Sequence, residues 1–383
     1  MGMNRRIGIA LQLAAALSAP GCSRDVKIGA VISDSGAVAS YGEKVKHGLE
    51  LALEEVNGSR ALFNGGRVVL FYRDDATIPE RGRQVAQELI EDEHVELIIG
   101  AVSSRVTLAI APLCEDKRVL LLSPASSSPE ITEIGDYIYR NYPSDIREGT
   151  SMAKFAKDLG LERIVIIALD DEWGRGLREV FTQQYESRFR QVVGSYEFRD
   201  DDAAKFAEIA TETEKLAPGG VYVVGYDPGL AEILRLLAAS GLRSVIMTSS
   251  AVTRNTVELA GSAAENLVFP QSTFEVDSKE PAVAAFVKSY RSRYGEDPDL
   301  YAAHGYDALK LLVQAINATE STRPDEVRIG LNGIHDYDGA AGKTTFDRNG
   351  DVLRHPRMMI IRNGKPMPYE EFVAAGESVL PRN

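Results

Sequence analysis

Short apolar runs alternate with longer amphipathic segments through the first third of the chain. The runs Val26–Ile32, Val68–Tyr72, Val95–Ile99 and Val119–Leu122 have the length and the continuous apolar character of strands that are buried on both faces. In the intervening segments apolar residues recur at every third or fourth position, as in Glu43–Val56, and this spacing predicts helices. The resulting βαβαβαβ order predicts a parallel sheet that is covered by helices on both faces.

The same alternation starts again after residue 143. It predicts the helices Ile146–Leu159, Gly176–Phe189, Lys205–Leu216 and Leu230–Ser240 and the strands Ile164–Leu169, Val192–Phe198, Val221–Val224 and Val245–Thr248. Two more helices, Pro281–Tyr294 and Tyr301–Ala318, precede the strand-like segments Thr344–Phe346 and Met358–Ile361. Two successive series of similar size predict an α/β protein with two doubly wound lobes, each built on a parallel sheet.

The N-terminus has the features of an export signal. Arg5 and Arg6 precede the apolar stretch Ile7–Ala19, which is too short to cross a bilayer, and small residues follow it up to Cys22. We expect residues 1–21 to be a signal peptide; the alternative is an N-terminal helix that is buried in the fold. The residues before Cys22 also resemble a bacterial lipobox, with Ala19 where leucine is usual, and this resemblance predicts a lipid anchor on Cys22.

The charge balance narrows the classes of partner. The 383 residues include 43 basic and 56 acidic side chains, so the formal net charge is −13. Nucleic-acid-binding proteins need a basic face, and proteins of anionic membrane surfaces need basic clusters, so we expect neither class of partner. The two cysteines, Cys22 and Cys114, are too few for a disulfide framework, and Cys114 is expected to be a buried, small apolar residue.

The motifs of common enzyme classes are missing from the sequence. It contains no G-x-x-x-x-G-K-[ST] phosphate loop and no G-x-S-x-G nucleophile elbow. The dinucleotide-like Gly174-Arg175-Gly176 lacks the third glycine, and the five histidines do not have the spacing of a zinc site or a general base. We therefore expect a protein without catalytic residues, metal or cofactor.

Polar loops follow the predicted strands, at the sheet edge where α/β proteins bind ligands. In the first lobe these loops are rich in serine, at residues 103–104 and 123–128, and Tyr41 stands near the start of the first helix. Hydroxyl groups and free N–H groups at helix starts favour a carboxylate. In the second lobe the loops contain Trp173 and Tyr226, which suit the apolar part of a small ligand or pack against the lobe surface.

Several short segments carry a family resemblance. They are Val26-Lys27-Ile28-Gly29, Tyr41-Gly42, residues 48–52, residues 119–129 (VLLLSPASSSP), residues 172–177 (EWGRGL), residues 225–228 (GYDP), residues 294–298 (YGEDP) and Tyr301-Ala302. In this order they resemble the periplasmic leucine/isoleucine/valine-binding proteins, which are type I solute-binding proteins of ABC transporters. The resemblance implies two lobes that are joined by three crossovers, near residues 142–143, 272 and 342–346, and that close around a ligand by a hinge motion.

The crossovers divide the predicted mature chain into four parts. The first lobe is expected to contain residues 22–142 and 272–342. The second lobe is expected to contain residues 143–271 and 343–383, the last of which includes the C-terminal tail.

The resemblance also implies roles for individual residues. Ser104 corresponds to the serine that holds the ligand carboxylate, the carbonyl of Ala125 corresponds to an acceptor for the ammonium, and Ser127 corresponds to a threonine that contacts both groups. Tyr41, Trp173 and Tyr226 correspond to aromatic residues of the cleft. The expected ligand-binding residues are Tyr41, Ser103, Ser104, Ala125, Ser126, Ser127, Trp173, Tyr226 and Ser249.

One position departs from the family pattern. The family's acid that pairs with the ligand ammonium should follow Val245–Thr248, but this chain has Ser249-Ser250-Ala251 there. Because an unpaired buried ammonium is costly, either another acid such as Asp34 or Asp227 replaces it or the ligand is not an α-amino acid. We expect a ligand with an apolar or aromatic end that does not depend on an ammonium contact.

The predicted function is extracytoplasmic binding of a small solute, an amino acid or a related small carboxylate, for delivery to an ABC permease. We expect a monomer in the periplasm or at the cell surface that contacts the membrane only through its lipid anchor. One alternative is a receptor or sensor that uses the same module without transport. Another is a secreted α/β enzyme, which the missing motifs disfavour.

Overall fold

Two β-sheets flanked by helices form the two lobes of the structure, a computed structural model that describes residues 25–199, 202–271 and 274–380. The predicted signal peptide and Cys22 lie outside the described residues. Within those three ranges, no helix is long and apolar enough to cross a membrane. The two-lobed α/β architecture predicted from the hydrophobic pattern is confirmed.

The first lobe is built on a five-stranded parallel sheet with the strand order β2-β1-β3-β4-β5. The elements of this part are β1 (Val26–Ile32), α1 (Ala39–Ser59), β2 (Val68–Asp74), α2 (Pro79–Glu91), β3 (Leu97–Gly100), α3 (Ser104–Lys117), β4 (Leu120–Ser123) and β5 (Ile138–Arg140). The four predicted strands are present. The residues of β3 and β4 are buried, as are all but one of β1, whereas β2 at the edge of the sheet is mostly half-buried.

The second lobe contains a seven-stranded sheet with the strand order β14-β13-β10-β9-β8-β6-β7. Its first elements are α4 (Asp145–Asp158), β6 (Arg163–Leu169), α5 (Glu172–Tyr185), β7 (Gln191–Phe198), α6 (Ala203–Leu216), β8 (Gly220–Val224), α7 (Gly229–Ala239), β9 (Val245–Thr248), α8 (Arg254–Ala260) and β10 (Val268–Gln271). Strands β6 to β10 pair in parallel, whereas β13 and β14 are antiparallel.

The start of α5 differs from the prediction, which placed this helix at Gly176–Phe189. The Asp171 carboxylate accepts a hydrogen bond of 2.8 Å from the Gly174 N–H and so caps a helix that begins at Glu172. At the other end the helix stops at Tyr185, and Phe189 is 73% exposed in the following turn.

The remaining chain returns first to one lobe and then to the other. Helices α9 (Pro281–Tyr294), α10 (Leu300–Thr319) and α11 (Pro324–Asn332) and the small hairpin β11 (Tyr337–Gly339) and β12 (Gly342–Thr344) follow β10. Helix α10 packs along α1 and contributes to the core of the first lobe. The last elements, β13 (Arg357–Arg362), β14 (Lys365–Pro368) and α12 (Tyr369–Ala374), belong to the second lobe.

The final return to the second lobe differs in position from the predicted boundary at residue 343. Phe346 and Val352 still belong to the apolar core of the first lobe, and the chain joins the second sheet only at Arg357. The buried Arg140 on β5 binds the Asp351 carboxylate at 2.6 Å, and this ion pair holds the intervening segment against the first lobe.

Both sheets have a topological switch point. Strand β1 pairs with β2 on one side and β3 on the other, and β6 pairs with β7 and β8 in the same way. At such a point the connections from neighbouring strands leave toward opposite faces, which opens a crevice at the carboxyl ends of the strands. The loops after β1, β3, β6 and β8 are therefore the places where the fold can form a ligand site.

Candidate functional site

The loops at the two switch points line one cavity between the lobes. The first lobe and the first crossover contribute Val38, Tyr41, Val102, Ala125, Ser127 and Tyr142. Tyr301 from α10, which packs in the first lobe, also lines this side, and the opposite side consists of Trp173, Tyr226, Ser250 and Ala251 from the second lobe. Apolar, aromatic and hydroxyl groups thus surround the cavity, and no charged side chain is among the residues that line it.

Aromatic rings form a continuous chain across the cavity. Trp173 stacks on Tyr226 with ring centroids 4.3 Å apart, and Tyr226 makes an edge contact of 5.4 Å with Tyr41. Tyr41 in turn contacts Tyr301 at 4.9 Å, and Tyr301 stacks on Tyr142. Burial raises the pKa of the Tyr41, Tyr226 and Tyr301 hydroxyls well above the ordinary value, so these side chains are neutral near pH 7.

Two hydrogen bonds join the walls of the cavity. The Tyr41 hydroxyl donates to the Ala251 carbonyl at 3.1 Å, between α1 of the first lobe and the loop after β9 of the second. The hydroxyl groups of Tyr142 and Ser250 lie 3.1 Å apart. The structure therefore has its lobes closed on each other.

The closed cavity is small. It provides a volume of about 20 Å³, which is close to the space that one water molecule requires. A larger ligand can bind only if the lobes separate or the tyrosine rings move.

The serine-rich loop 123–128 is held mainly by its own hydroxyl groups. Ser104 Oγ accepts hydrogen bonds from the N–H groups of Ser127 and Ser128 at 3.1 and 3.2 Å. The Ser126 hydroxyl lies 2.6 Å from the hydroxyl of Thr107 and donates to the Ala101 carbonyl at 3.2 Å. Ser127 is thus the serine of this loop that lines the cavity, while Ser126 faces the interior of the first lobe.

Ser103 precedes α3 as its N-cap residue, and its buried hydroxyl has no hydrogen-bond partner among the described residues. At this helix start the N–H groups and the positive end of the helix dipole favour an anion. Ser103, Ser104 and Ser127 therefore bring hydroxyl groups and a helix N-terminus to one side of the cleft.

Two buried acids lie behind the cavity wall. Glu148 Oε1 accepts a hydrogen bond of 2.9 Å from the Ser250 N–H, and the Asp145 N–H donates to the Ser127 carbonyl at 2.9 Å. Burial raises the pKa of Glu148 to about 7, and burial together with repulsion from Glu148 raises the pKa of Asp145. Neither acid was among the residues that the sequence pattern predicted for the site.

The acids proposed from the sequence as replacements for the missing ammonium partner have other contacts. Asp34 is exposed and binds Lys46 Nζ at 2.8 Å. Asp227 Oδ2 accepts hydrogen bonds from the Thr253 and Thr256 hydroxyls at the start of α8. Asp34 therefore does not lie at the cavity, and one oxygen of Asp227 is occupied in fixing the loop that leads into α8.

The predicted site residues fall into two groups. Tyr41, Ala125, Ser127, Trp173 and Tyr226 line the cavity. Ser103, Ser104, Ser126 and Ser249 are buried around it and do not line it. The role of each of these nine residues in ligand binding stays a prediction.

Tyr142, Ser250, Ala251 and Tyr301 also line the cavity but were not predicted as ligand-binding residues. The sequence offered a signal for some of them, since Tyr142 stands at the predicted crossover and Ser250 and Ala251 follow a predicted strand. Asp145 and Glu148 gave a weaker signal. They stand three positions apart in the first turn of a helix, where acids are common for reasons of helix stability alone.

Within residues 25–199, 202–271 and 274–380, no group of three or more His, Cys, Asp and Glu side chains is arranged to hold a metal ion. The thiol of Cys114 is fully buried, which raises its pKa to about 12 and makes it a small apolar core residue, as predicted.

Comparison with known sequences assigns the family. The sequence pattern of the periplasmic binding protein family matches residues 25–364. The chain belongs to this family. Among curated proteins, it is similar to Leu/Ile/Val-binding protein homolog 2 of Brucella abortus, with 27% identity over 91% of this chain and 93% of the relative. It is 28% identical to the Leu/Ile/Val-binding protein of Escherichia coli, over 89% of this chain and 91% of the relative.

Solved structures of such binding proteins share the fold. A leucine-binding protein, LivK, from Thermotoga maritima has a TM-score of 0.82 and 28% identity, and the match covers 90% of this chain and 97% of that one. An ABC transporter substrate-binding protein from Desulfitobacterium hafniense, solved in complex with leucine, has a TM-score of 0.76 and 25% identity. That match covers 90% of this chain and all of the other chain. The predicted family and fold are therefore confirmed.

Proposed function

We propose that this periplasmic binding protein takes up a small solute with a carboxylate group in the cleft between its lobes and delivers it to an ABC permease. The carboxylate would lie near the start of α3, where the helix N-terminus, the Ser127 hydroxyl and the Ser103 hydroxyl, which is unpartnered among the described residues, are close to the cavity, beside Ser104. The apolar part of the solute would lie among Tyr41, Trp173 and Tyr226.

The observation that carries this proposal is the meeting of both switch points at one closed cavity. Each sheet places the carboxyl ends of its central strands at this cavity, and Tyr41 already bonds across it to Ala251. A ligand that contacts both lobes stabilises the closed arrangement, because the open form cannot make both sets of contacts. The curated relatives carry names of leucine, isoleucine and valine binding, which makes amino acids the first solutes to test.

Calorimetry and X-ray scattering test the proposal together. We expect one or more solutes in a screen of L-amino acids and small carboxylates to raise the melting temperature, to bind with a 1:1 stoichiometry and to reduce the radius of gyration. A screen in which no solute changes the melting temperature or the radius of gyration would contradict solute binding in this cleft.

Transport and sensing differ in the partner that recognises the closed form. We propose transport, for which the ligand-bound protein should stimulate the ATPase activity of a permease reconstituted from the same gene neighbourhood. Stimulation of a signalling receptor instead, with no effect on the permease, would favour the sensor. The motif-free cleft is consistent with a protein that releases its ligand chemically unchanged, and mass spectrometry of the recovered ligand tests this point.

We also propose that the protein is exported and held at the membrane by a lipid on Cys22, as a monomer. The order of basic, apolar and small residues before Cys22 supports export and lipidation. Mass spectrometry of the protein from its natural host should find a lipidated N-terminal Cys22. An unmodified cysteine would remove the anchor and leave export intact.

A further inference from the structure

A glycine on α5 lies where this helix meets the opposite lobe. Gly176 is buried at the start of the second turn of α5, and a Cβ atom at this position would lie 3.0 Å from Pro129 Cδ and 3.5 Å from Ser128 Oγ. Pro129 begins the short 3-10 helix Pro129–Glu133 of the first lobe, whose Ile131 packs in the core of that lobe. The two lobes therefore approach each other here at the bare backbone of α5.

The contact across the lobes is the close approach that excludes a side chain at position 176. Apart from the adjacent residues and the backbone of α5 itself, the three heavy atoms nearest to the added Cβ all belong to Ser128 and Pro129. Glycine inside a helix is less favourable than alanine, because it loses more backbone freedom on folding. Position 176 thus carries a residue that weakens its own helix and fits the opposite lobe.

The first-lobe side of this contact is held firmly. The Ser128 N–H donates to Ser104 Oγ at 3.2 Å, and the Ser128 carbonyl accepts from Arg140 Nη1 at 2.7 Å. Arg140 is fully buried and is itself bound to Asp351 at 2.6 Å. The ring of Pro129 fixes its own backbone angle φ. This side of the contact therefore cannot yield by turning a flexible side chain away.

The second-lobe side is equally fixed. The Asp171 carboxylate caps α5 through the Gly174 N–H at 2.8 Å, and Leu177 and Phe181 bury their side chains in the core of the second lobe. Packed elements of this kind transmit strain instead of deforming continuously. A side chain at position 176 would therefore be accommodated mainly by a larger separation of the lobes.

We propose that Gly176 is a positioning residue for solute binding, because its bare backbone lets α5 dock on Ser128 and Pro129 when the lobes close. The proposal rests on the proposed function, in which the lobes close around a solute. The contact borders the cleft, since Trp173 on α5 and Ser127 beside Ser128 both line the cavity. Any factor by which a side chain at position 176 disfavours the closed form also weakens the binding of a solute that binds only to that form.

Distances between the lobes test the proposal. Spin labels at two exposed sites, Gln87→Cys on α2 and Lys154→Cys on α4, report the separation of the lobes by pulsed electron paramagnetic resonance. The labels are placed in a Cys22→Ser background, in which the buried Cys114 does not react. Each protein is measured with and without a mixture of the proteinogenic L-amino acids and the carboxylates acetate, benzoate and 4-methylpentanoate.

We expect the closed distance to be populated in the wild type and to be lost in Gly176→Leu. The ratio of closed to open molecules should fall by about tenfold or more, which is the order expected when a packed contact is overfilled. The matched control is Glu179→Leu, which adds the same side chain on the exposed face of α5 and should keep the wild-type ratio. Circular dichroism and a cooperative urea transition check that both variants are folded.

The outcomes for the proposal and for the proposed function are distinct. A wild-type ratio in Gly176→Leu would overturn the proposal, and so would a wild type without a closed distance in either condition. A closed distance in the solute-free wild type that Gly176→Leu loses, with no response to the mixture, would support the proposal and count against the proposed function.

A double-mutant cycle tests whether Pro129 is the obstacle and does not depend on the larger leucine. Gly176→Ala adds only the Cβ atom that meets Pro129 Cδ, and Pro129→Ala removes the ring that it meets. We expect Gly176→Ala to lower the ratio of closed to open molecules severalfold, and the double variant to return it to that of Pro129→Ala alone. Alanine is the better helix former, so Gly176→Ala should not weaken α5 itself. Purely additive effects of the two substitutions would mean that this contact does not control closure, and would overturn the proposal.

Discussion

Two buried ionic sites lie a few residues apart in the chain and differ in how their charge is compensated. Arg140 at the end of β5 is fully buried, and its guanidinium binds both oxygens of Asp351 at 2.6 and 3.0 Å, the Ser128 carbonyl and the Thr132 hydroxyl. Asp145, at the start of α4, is just as buried, but neither of its carboxylate oxygens has a hydrogen-bond partner among the described residues.

The difference separates a buried charge that the chain itself neutralises from two buried acids that have no cation within ion-pair distance among the described residues. The Arg140 guanidinium holds the chain segment around Asp351 against the first lobe. The acceptors for its hydrogen bonds, which include the Asp351 carboxylate and the Ser128 carbonyl, are all groups of this chain. The Asp145 and Glu148 site stands beside the cavity and is unfavourable in the structure as it is. Ionisation of these buried acids is therefore expected to reduce the stability of the fold.

Breaking the compensated site should have the largest effect. We expect Asp351→Asn to reduce the free energy of unfolding by about 3–5 kcal/mol, because the Arg140 guanidinium loses the carboxylate that balances its buried charge. Urea unfolding measures this, and the exposed pair of Lys154 and Asp158 provides the control, since Asp158→Asn should cost less than about 1 kcal/mol. Replacing both partners, as Arg140→Met with Asp351→Leu, should restore much of the loss; a small effect of Asp351→Asn would mean that the pair is not structural.

The uncompensated site should make stability depend on pH in the opposite sense to an ordinary salt bridge. Glu148 ionises near its ordinary pKa of 4.5 in the unfolded chain and near pH 7 in the folded protein. Between these values the folded state holds the extra proton, so stability falls as pH rises from about 4.5 to 7, by roughly 3 kcal/mol for this group. Asp145 acts in the same direction, because its pKa is also raised.

Unfolding of the wild type and of Glu148→Gln at pH 5 and pH 8 isolates this contribution. The variant should gain stability relative to the wild type at pH 8 and little at pH 5. The control variant Glu179→Gln, on the exposed face of α5, should follow the wild type at both pH values. Other buried acids such as Asp171, Asp299 and Asp307 also have raised pKa values, so the difference between the proteins is the quantity to compare. Equal pH profiles would mean that Glu148 is compensated after all.

Two neighbouring serines extend the comparison to binding. Ser127 lines the cavity, and we expect Ser127→Ala to weaken ligand binding by roughly 1–2 kcal/mol, as the loss of a hydrogen bond to a charged group should. Ser126 bonds inside the first lobe, so Ser126→Ala should leave affinity nearly unchanged and cost about 1 kcal/mol of stability. Calorimetry measures the affinity of both variants, and urea unfolding measures their stability. If the ligand lies on the other side of this loop, Ser126→Ala rather than Ser127→Ala should weaken binding.

The smallest effect is expected at Tyr222. Its hydroxyl is buried, has no hydrogen-bond partner among the described residues and feels the charges of both acids. Tyr222→Phe should change the free energy of unfolding by less than about 1 kcal/mol, because no bond is lost with the hydroxyl. A loss above about 2 kcal/mol would mean that this phenol donates to the acid pair and compensates part of its charge.

Local patterns were sufficient for the elements and for the loops that face the ligand. Strands buried on both faces give continuous apolar runs, so most strands of both sheets could be read directly from the sequence. Because parallel strands direct their carboxyl ends to one edge, the sequence predicted that Tyr41, the loop 123–128, Trp173 and Tyr226 lie at ligand-binding edges, and the family resemblance singled out Ser127; all four residues line the cavity. The start of α5 was misplaced because the Asp171 cap was not recognised.

The charge balance of the site was decided only by the tertiary structure. Glu148 receives its hydrogen bond from Ser250, 102 positions later in the chain, and Arg140 is neutralised by Asp351, 211 positions later. Burial and long-range pairing determine whether a charge is satisfied, and neither is encoded in the spacing of nearby residues. The sequence therefore established the fold and the position of the cleft, while the packing of distant segments left Asp145 and Glu148 beside that cleft without a cation among the described residues.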